Sequence, residues 1–294
     1  MVWAAYIYMC LVGGTAFLAI RLGINAGLPP FWSAGARFLI AGSLLLFYLW
    51  ASGRFQTLTP QQNRTLILVG LLTTGLRFAA LYRAQQVIPS GQASLLAATF
   101  PLLVILLHAL DQRAVPPLYQ WLGLLGGFLG VTLLLQTPLD VSAAYRSGSL
   151  LVLAGDLMNA AGTILARRLL SDHVPPLQLN GVQMLVGSIA LLMAAGWTEP
   201  FPSPIVWQAG LVSILYLSLA GSLVATTLFY WLVGKIGPVI PATWAYVAPV
   251  IALFSGYLVL QETFSPVQLF GAVLILLCVI LATAGPRLWV SRAK

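Results

Sequence analysis

The chain has 294 residues, of which 60% are hydrophobic and 7% are charged, with a formal net charge of +8 at pH 7. Soluble domains are about 45–50% apolar and about 25% charged, so this composition excludes a soluble protein. It predicts an all-α polytopic membrane protein embedded in a lipid bilayer. The long apolar runs also exclude a transmembrane barrel, whose strands are short and alternate in polarity.

Ten apolar runs are long enough to cross a bilayer, since a spanning helix needs about 20 residues. Pro, Gly and polar clusters separate these runs. We predict transmembrane helices at residues 2–22, 31–51, 65–86, 91–110, 118–136, 148–168, 177–197, 207–233, 239–260 and 266–285. The loops between them are short and contain no phosphate-binding GxxxxGK[ST] pattern.

Basic residues set the predicted orientation, because cytoplasmic loops are enriched in Lys and Arg. With the N-terminus in the cytoplasm, the inner side carries Arg54, Arg64, Arg113, Arg167, Arg168, Lys235, Arg287, Arg292 and Lys294, and the outer side carries Arg21, Arg83 and Arg146. We therefore predict a multi-pass protein of the inner (plasma) membrane with both termini cytoplasmic. The positive net charge is explained by this topology, so no nucleic-acid partner is expected.

The sequence repeats itself. The stretch "GLPPFWSAGARFL" at 27–39 is echoed by "HVPPLQLNGVQML" at 173–185, and in this alignment Arg37 faces Gln183. Each half contains five predicted spans, and an odd number inserts the second half upside down, as in many secondary transporters. We predict two inverted five-helix repeats, residues 1–141 and 142–294.

Two prolines occupy matching places in these repeats. Pro101 and Pro249 lie inside predicted spans four and nine. Helices broken at matching positions often mark the substrate site of a transporter. The alternative is a tolerated kink that has no contact with substrate.

The stretch "FLAIRLGINAGLPPFWSAGARFLIAGSLLL" at 17–46 resembles the first repeat of EamA-type proteins of the drug/metabolite transporter superfamily, with Arg21, Pro30 and Arg37 at that family's basic, proline and arginine positions. The final unit, "QETFSPVQLFGAVLILLCVI", is similar to the family's last unit and includes Glu262. The resemblance covers the whole chain. It implies a ten-helix transporter, with the amino-acid exporters of the YddG type as the nearest kind.

Three charged residues fall inside predicted spans. At about 1.5 Å per residue, Arg37, Arg77 and Asp156 all lie about 9 to 12 Å from the outer ends of their helices. A charge at this depth needs a partner or water, so we expect Asp156 or a water-filled cavity beside Arg37. The cluster is predicted either to hold a substrate carboxylate or relay a proton, or to form a structural ion pair.

Polar and aromatic side chains extend this candidate site. Polar stripes at helical spacing are Asp156, Asn159 and Thr163 on span six, and Ser218, Ser222, Thr226 and Tyr230 on span eight. Such stripes face inward in a membrane protein, either lining a cavity or bonding a neighbouring helix. The deep aromatic residues are Phe78, Tyr82, Tyr230, Trp244 and Tyr246. They are predicted to stack on an aromatic or cationic substrate, with plain packing as the alternative.

The remaining features have simpler interpretations. The glycines of "GLLGGFLG" at 123–130 are spaced for close helix packing, inside the chain or across a dimer. His108, near the inner end of span four, is a candidate for proton coupling or an ordinary helix-end histidine. The widely separated Cys10 and Cys278 are interpreted as buried apolar side chains. No metal or cofactor is expected, and the protein is predicted to be a monomer or a homodimer.

The sequence therefore predicts a secondary transporter that moves small organic metabolites by alternating access through a central cavity between the repeats. The resemblance implies export of amino acids, including aromatic ones. The alternative is a uniporter or channel-like facilitator for another small solute, such as a drug, an organic cation or a nucleoside. An intramembrane enzyme is excluded because the HExxH and Gly-x-Gly-Asp patterns are missing.

Overall fold

A computed structural model of the chain describes residues 1–88, 93, 96–135, 143–251 and 265–290. These residues form helices and turns, and no strand occurs among them. In chain order the helices are α1 (Val2–Asn25), α2 (Pro30–Ala51), α3 (Pro60–Ala84), α4 (Phe100–Gln112), α5 (Leu118–Leu135), α6 (Ala143–Ser171), α7 (Pro176–Thr198), α8 (Pro204–Ile236), α9 (Val239–Ile251) and α10 (Pro266–Val290).

The predicted all-α class is confirmed for the described part of the chain. Six helices there are long and apolar enough to cross a membrane, namely α1, α2, α3, α6, α7 and α8. The other four carry shorter apolar stretches of 10–17 residues. The predicted boundary between residues 141 and 142 lies outside the described residues, and so does Glu262.

Predicted span four, residues 91–110, is described in part, with helical residues at 93 and 96–97 and a turn at residues 98–99. Pro101 lies directly after this turn, in the first turn of α4. Proline is well suited to this place, because the first-turn N–H groups of a helix have no partner within the helix. Pro249, by contrast, lies within the helical residues 244–251 of α9.

The internal repeat is visible in the backbone. Both α3 and α8 contain a π-helical segment, Leu71–Leu76 in α3 and Leu217–Ala225 in α8. The two segments begin 146 residues apart (217 − 71), which is the offset of the sequence repeat. Gly27 and His173, also 146 residues apart, both have positive φ, at 88° and 63°. The two halves thus share unusual local conformations and not only sequence.

The matching helices α2 and α7 pack against each other through a reciprocal contact. A Cβ at Gly35 of α2 would lie 2.6 Å from Leu192 Cδ2, and a Cβ at Gly181 of α7 would lie 2.7 Å from Leu46 Cδ2. Gly181 and Leu192 follow Gly35 and Leu46 by 146 residues each. A contact in which the same pair of positions meets twice is the mark of two-fold symmetry.

The glycine stripe of α5 packs within the chain. A Cβ at Gly126 would lie 2.6 Å from Cys278 Sγ, and a Cβ at Gly130 would lie 3.0 Å from the backbone oxygen of Gly271, both on α10. Small residues therefore allow α5 and α10 to approach closely. Cys10 and Cys278 are buried free thiols, as interpreted from the sequence.

The outer surface of the helical assembly is apolar. Phe47, Trp50 and Phe270 have 65%, 72% and 62% of their surface exposed. Large apolar side chains exposed to this extent mark a surface that is covered by lipid or by a partner. Together with the six long apolar helices, this surface identifies an integral membrane protein.

Candidate functional site

A cavity of about 130 Å³ lies among the helices of both halves. A single water needs roughly 10–15 Å³ of such space, so the cavity has room for a small molecule. Seven of the residues singled out in the sequence line it: Arg37, Arg77, Phe78, Asn159, Thr226, Tyr230 and Trp244. Side chains of α5 and α10 do not contribute to the described lining.

The acidic residue expected beside Arg37 lies beside Arg77 instead. Asp156 Oδ1 of α6 lies 3.5 Å from Arg77 Nη2 of α3, and both residues are buried. Asp156 is not among the residues that line the cavity. Of the two neighbours expected for Arg37, the structure therefore gives the cavity and not Asp156, whose carboxylate forms a buried ion pair with Arg77.

Arg37 is held by a serine and two aromatic rings. Its Nε donates a hydrogen bond of 2.7 Å to Ser222 Oγ in the π-helical segment of α8. The guanidinium carbon lies 4.7 Å from the ring centroid of Phe38 and 5.2 Å from that of Phe78. These contacts give the guanidinium a fixed plane at the cavity wall.

Gln183 occupies the position of Arg37 in the second half. It also lines the cavity, and its side-chain amide joins neighbouring residues of the lining by hydrogen bonds. Its Oε1 accepts hydrogen bonds from the hydroxyls of Thr73, at 2.9 Å, and Thr74. Its Nε2 donates to Asn180 Oδ1 at 2.9 Å. Tyr230 OH also donates to Thr73 Oγ1, at 3.4 Å. The amide therefore joins α3 to α7, and it makes three hydrogen bonds within the protein.

These wall residues were partly missed in the sequence. Thr73 and Thr74 lie in the π-helical segment Leu71–Leu76, and neither was singled out. The available signal was the same that identified Asn159, namely a polar side chain in an apolar span. Among the described residues, the amide of Asn159 has no hydrogen-bond partner, so it is free to bind a molecule in the cavity.

Aromatic rings supply much of the remaining lining. Phe38 and Phe78 meet edge to face with centroids 4.5 Å apart, and Phe229 and Tyr230 do so at 5.4 Å. Trp244 lies across the cavity on α9, with its ring against Gly13 of α1. The cavity thus combines apolar ring surfaces with a few polar groups, as ligand sites usually do.

Two of the predicted aromatic residues lie elsewhere. Tyr246 is fully buried, and its hydroxyl donates a hydrogen bond of 2.9 Å to the backbone oxygen of Leu124 on α5. Tyr82 is also fully buried, within the apolar core that includes Phe38. Neither residue lines the cavity. The structure therefore places both of them in packing positions.

The two prolines and the histidine also lie outside the cavity lining. Pro101 and Pro249 are buried in α4 and α9. His108 is half-buried and lies one turn before Asp111, whose Oδ1 accepts a hydrogen bond of 3.0 Å from Arg168 Nε. This exposed ion pair joins the ends of α4 and α6 remote from the Arg77–Asp156 pair.

A seam of unpaired polar groups runs between α3 and α6. The hydroxyl of Tyr82, both side-chain amide atoms of Gln85, the hydroxyl of Ser149 and Oδ2 of Asp156 are buried and have no hydrogen-bond partner among the described residues. Buried polar groups in proteins are normally satisfied, and ordered water often supplies the bond.

The two buried tyrosines allow a matched prediction. We expect Tyr246→Phe to lower the free energy of unfolding by about 1 kcal/mol, because it leaves the Leu124 carbonyl without its donor. Tyr82→Phe should change it by less than about 0.5 kcal/mol, because no protein group loses a partner. Unfolding in mixed detergent micelles measures both. Equal costs for the two variants would contradict the assignment of Tyr82 as unpaired within the protein.

Comparison with known proteins gives a consistent result. The model of the "EamA-like transporter family" matches the chain twice, at residues 2–136 and 146–284. The "Uncharacterized inner membrane transporter YedA" of Escherichia coli (strain K12) is 28% identical over 292 residues, which is 99% of this chain and 93% of the relative. The "Probable amino-acid metabolite efflux pump" of Salmonella typhimurium is 26% identical over 277 residues, 90% of this chain and 89% of the relative.

A further relative and a solved structure extend the comparison. "Protein PecM" of Dickeya dadantii is 30% identical over 212 residues, covering 71% of this chain and 70% of the relative. One crystal structure superposes with a TM-score of 0.81 over 97% of both chains at 20% sequence identity. At that identity the likeness speaks for the fold alone.

Proposed function

The chain belongs to the EamA-like transporter family, and from this membership we propose that it is a secondary transporter exporting small organic metabolites, in particular amino acids including aromatic ones. Transporters of this family are not enzymes, and the YedA relative is described as an inner membrane protein. The observation that carries the proposal is the cavity of about 130 Å³ enclosed by both halves and lined by aromatic rings, two arginines and a free amide.

The proposed architecture is ten transmembrane helices in two inverted repeats, residues 1–141 and 142–294. The two family matches and the reciprocal contact between α2 and α7 support two related halves. Five spans in each half reverse the orientation of the second. The bias of basic residues supports cytoplasmic termini. Rocking of one half against the other would open the cavity to each side in turn.

Amino acids are supported by one relative and by the lining. The Salmonella typhimurium relative is named as a probable amino-acid metabolite efflux pump. In this chain, Phe78, Phe229 and Trp244 offer ring surfaces to an aromatic or aliphatic side chain. The free amide of Asn159 offers both a donor and an acceptor to the polar end of a substrate.

Exchange measurements test the transport proposal. In proteoliposomes preloaded with unlabelled amino acids, we expect uptake of labelled amino acid to accelerate, because an alternating-access carrier returns faster when loaded. A facilitator would give uptake that the preload does not accelerate. That outcome would favour the uniporter or channel-like alternative, in which the cavity is an open path.

Asn159 provides a variant for the same assay. We expect Asn159→Leu to weaken substrate binding by about five- to tenfold, the value of one hydrogen bond. Leu157→Ile, on the lipid-exposed side of the same helix, is the control and should leave exchange unchanged. Unchanged exchange in Asn159→Leu would place the substrate away from the cavity.

A further inference from the structure

The charges around the cavity do not balance. Arg37 and Arg77 are the charged residues among its described lining, and no acidic side chain lines it there. Asp156 neutralises Arg77 from behind, at 3.5 Å. One positive charge, that of Arg37, therefore remains without a counter-charge at the cavity wall.

One terminal nitrogen of the Arg37 guanidinium is unpaired. Its Nε is used by Ser222, but its Nη1 is buried and has no hydrogen-bond partner in the described structure. The residue is only 5% exposed. A buried charge with an unsatisfied donor is strongly unfavourable unless an anion or water completes it.

The backbone of α8 lies close to the other terminal nitrogen of Arg37, Nη2. Gly221, in the π-helical segment of α8, lines the cavity, and a Cβ at this position would lie 3.2 Å from Arg37 Nη2. The rings of Phe38 and Phe78 meanwhile fix the plane of the guanidinium. The result is a guanidinium of fixed plane at the cavity wall with an unpaired donor, the group that binds a carboxylate through charge-assisted hydrogen bonds.

We propose that Arg37 is the anchor for the carboxylate of a small monoanionic organic acid, whose apolar body lies against the aromatic lining. This proposal rests on the proposed function and names the substrate group that the site selects. One unpaired cation matches one negative charge, whereas a phosphate dianion would leave a charge uncompensated. An ammonium group finds no carboxylate in the described lining, so the site rejects organic cations and merely tolerates the amine of an amino acid.

A set of ligands that share a phenylethyl group tests the charge selection. 3-Phenylpropionate is an anion, phenylalanine a zwitterion and phenethylamine a cation, and 3-phenylpropanamide is neutral. We expect the purified full-length protein in lipid nanodiscs to bind the first two and to bind phenethylamine at least about tenfold more weakly. Tighter binding of phenethylamine than of phenylpropionate would overturn the proposal.

Variants of Arg37 test the anchor itself. We expect Arg37→Gln to weaken binding of phenylpropionate by about 10- to 100-fold, the range for a charged hydrogen bond, and to leave phenylpropanamide unchanged. Arg37→Lys keeps the charge but loses the planar guanidinium, so it should fall between. Arg83→Gln, at an exposed position on α3, is the control for net charge. An equal loss for all four ligands in both Arg37 variants would overturn the anchor role.

The outcomes separate this inference from the proposed function. If phenylpropionate binds through Arg37 but no ligand accelerates exchange, the anion site stands and the carrier proposal fails. If exchange is accelerated only by cations or neutral solutes, the carrier stands and the carboxylate anchor fails.

Discussion

Removal of the Asp156 carboxylate lowers the free energy of unfolding by about 3–5 kcal/mol, because it leaves Arg77 buried without a counter-charge. The two side chains are 7% and 3% exposed, so solvent cannot replace the lost partner. Asp156→Leu tests this in reversible unfolding from mixed detergent micelles. The double variant Arg77→Met with Asp156→Leu should recover most of the loss, because an apolar pair of similar volume has no charge to compensate.

A second ion pair on the same helix provides the control. Arg168 of α6 binds Asp111 of α4; the two side chains are 61% and 10% exposed, so the guanidinium of this pair is in contact with solvent. Exposed pairs contribute about 0–1 kcal/mol, so Arg168→Gln should cost less than about 1 kcal/mol. Similar costs for Asp156→Leu and Arg168→Gln would show that water reaches the Arg77–Asp156 pair.

Two glycines of α7 should respond oppositely to the same substitution. A Cβ at Gly187 would overlap the Thr74 side chain and lie 2.8 Å from the backbone nitrogen of Gly75. Because Gly75 N belongs to the backbone, a change of rotamer does not relieve the clash. We expect Gly187→Ala to cost about 1–3 kcal/mol, as for other overpacked interiors, and to displace the Thr74–Gln183 hydrogen bond at the cavity.

Gly196 is the matched position near the end of α7. A Cβ there would meet nothing within 4 Å. We expect Gly196→Ala to be neutral or to raise the free energy of unfolding by up to about 1 kcal/mol, because alanine favours the helix more than glycine does. The same unfolding assay measures both variants. A loss in Gly196→Ala as large as in Gly187→Ala would mean that propensity or lipid contact, and not the clash with α3, controls the response.

The sequence predicted how deep each charged residue lies along its helix better than which side of the helix it faces. Arg37, Arg77 and Asp156 were predicted at one level, and the structure brings Asp156 to Arg77 and both arginines to one cavity. Which arginine takes the carboxylate depends on how each helix is rotated about its axis. That rotation is set by packing against neighbouring helices, which periodicity in one helix does not specify.

The aromatic residues show the same difference. Tyr246 follows Trp244 by two residues, which is roughly 200° around an α-helix. Trp244 faces the cavity and Tyr246 therefore faces α5. Both residues lie on a span marked by a repeated proline. The prediction assigned both to the substrate site because they share this span, and it did not consider which side of the helix each one faces.

The π-helical segments were not predictable from the stripe on α8. Ser218 and Ser222 lie within the segment Leu217–Ala225, where the turn is wider than in an α-helix. Ser218 bonds back to the Ile214 carbonyl, whereas Ser222 binds Arg37. A stripe assumed to follow one helical period thus contains side chains with different tasks. No composition signal in the sequence marks the change of period.

If the two halves were identical and met through the α2–α7 contact, every residue of that contact would occur twice. An arginine at position 37 would then place two guanidiniums at one cavity, each repelling the other. Because both halves lie on one chain, the two matching positions can carry different residues. One position carries Arg37, and its counterpart carries Gln183, whose amide oxygen accepts a hydrogen bond from Thr73. One polypeptide thus combines an asymmetric, singly charged site with a helix contact that remains two-fold symmetric.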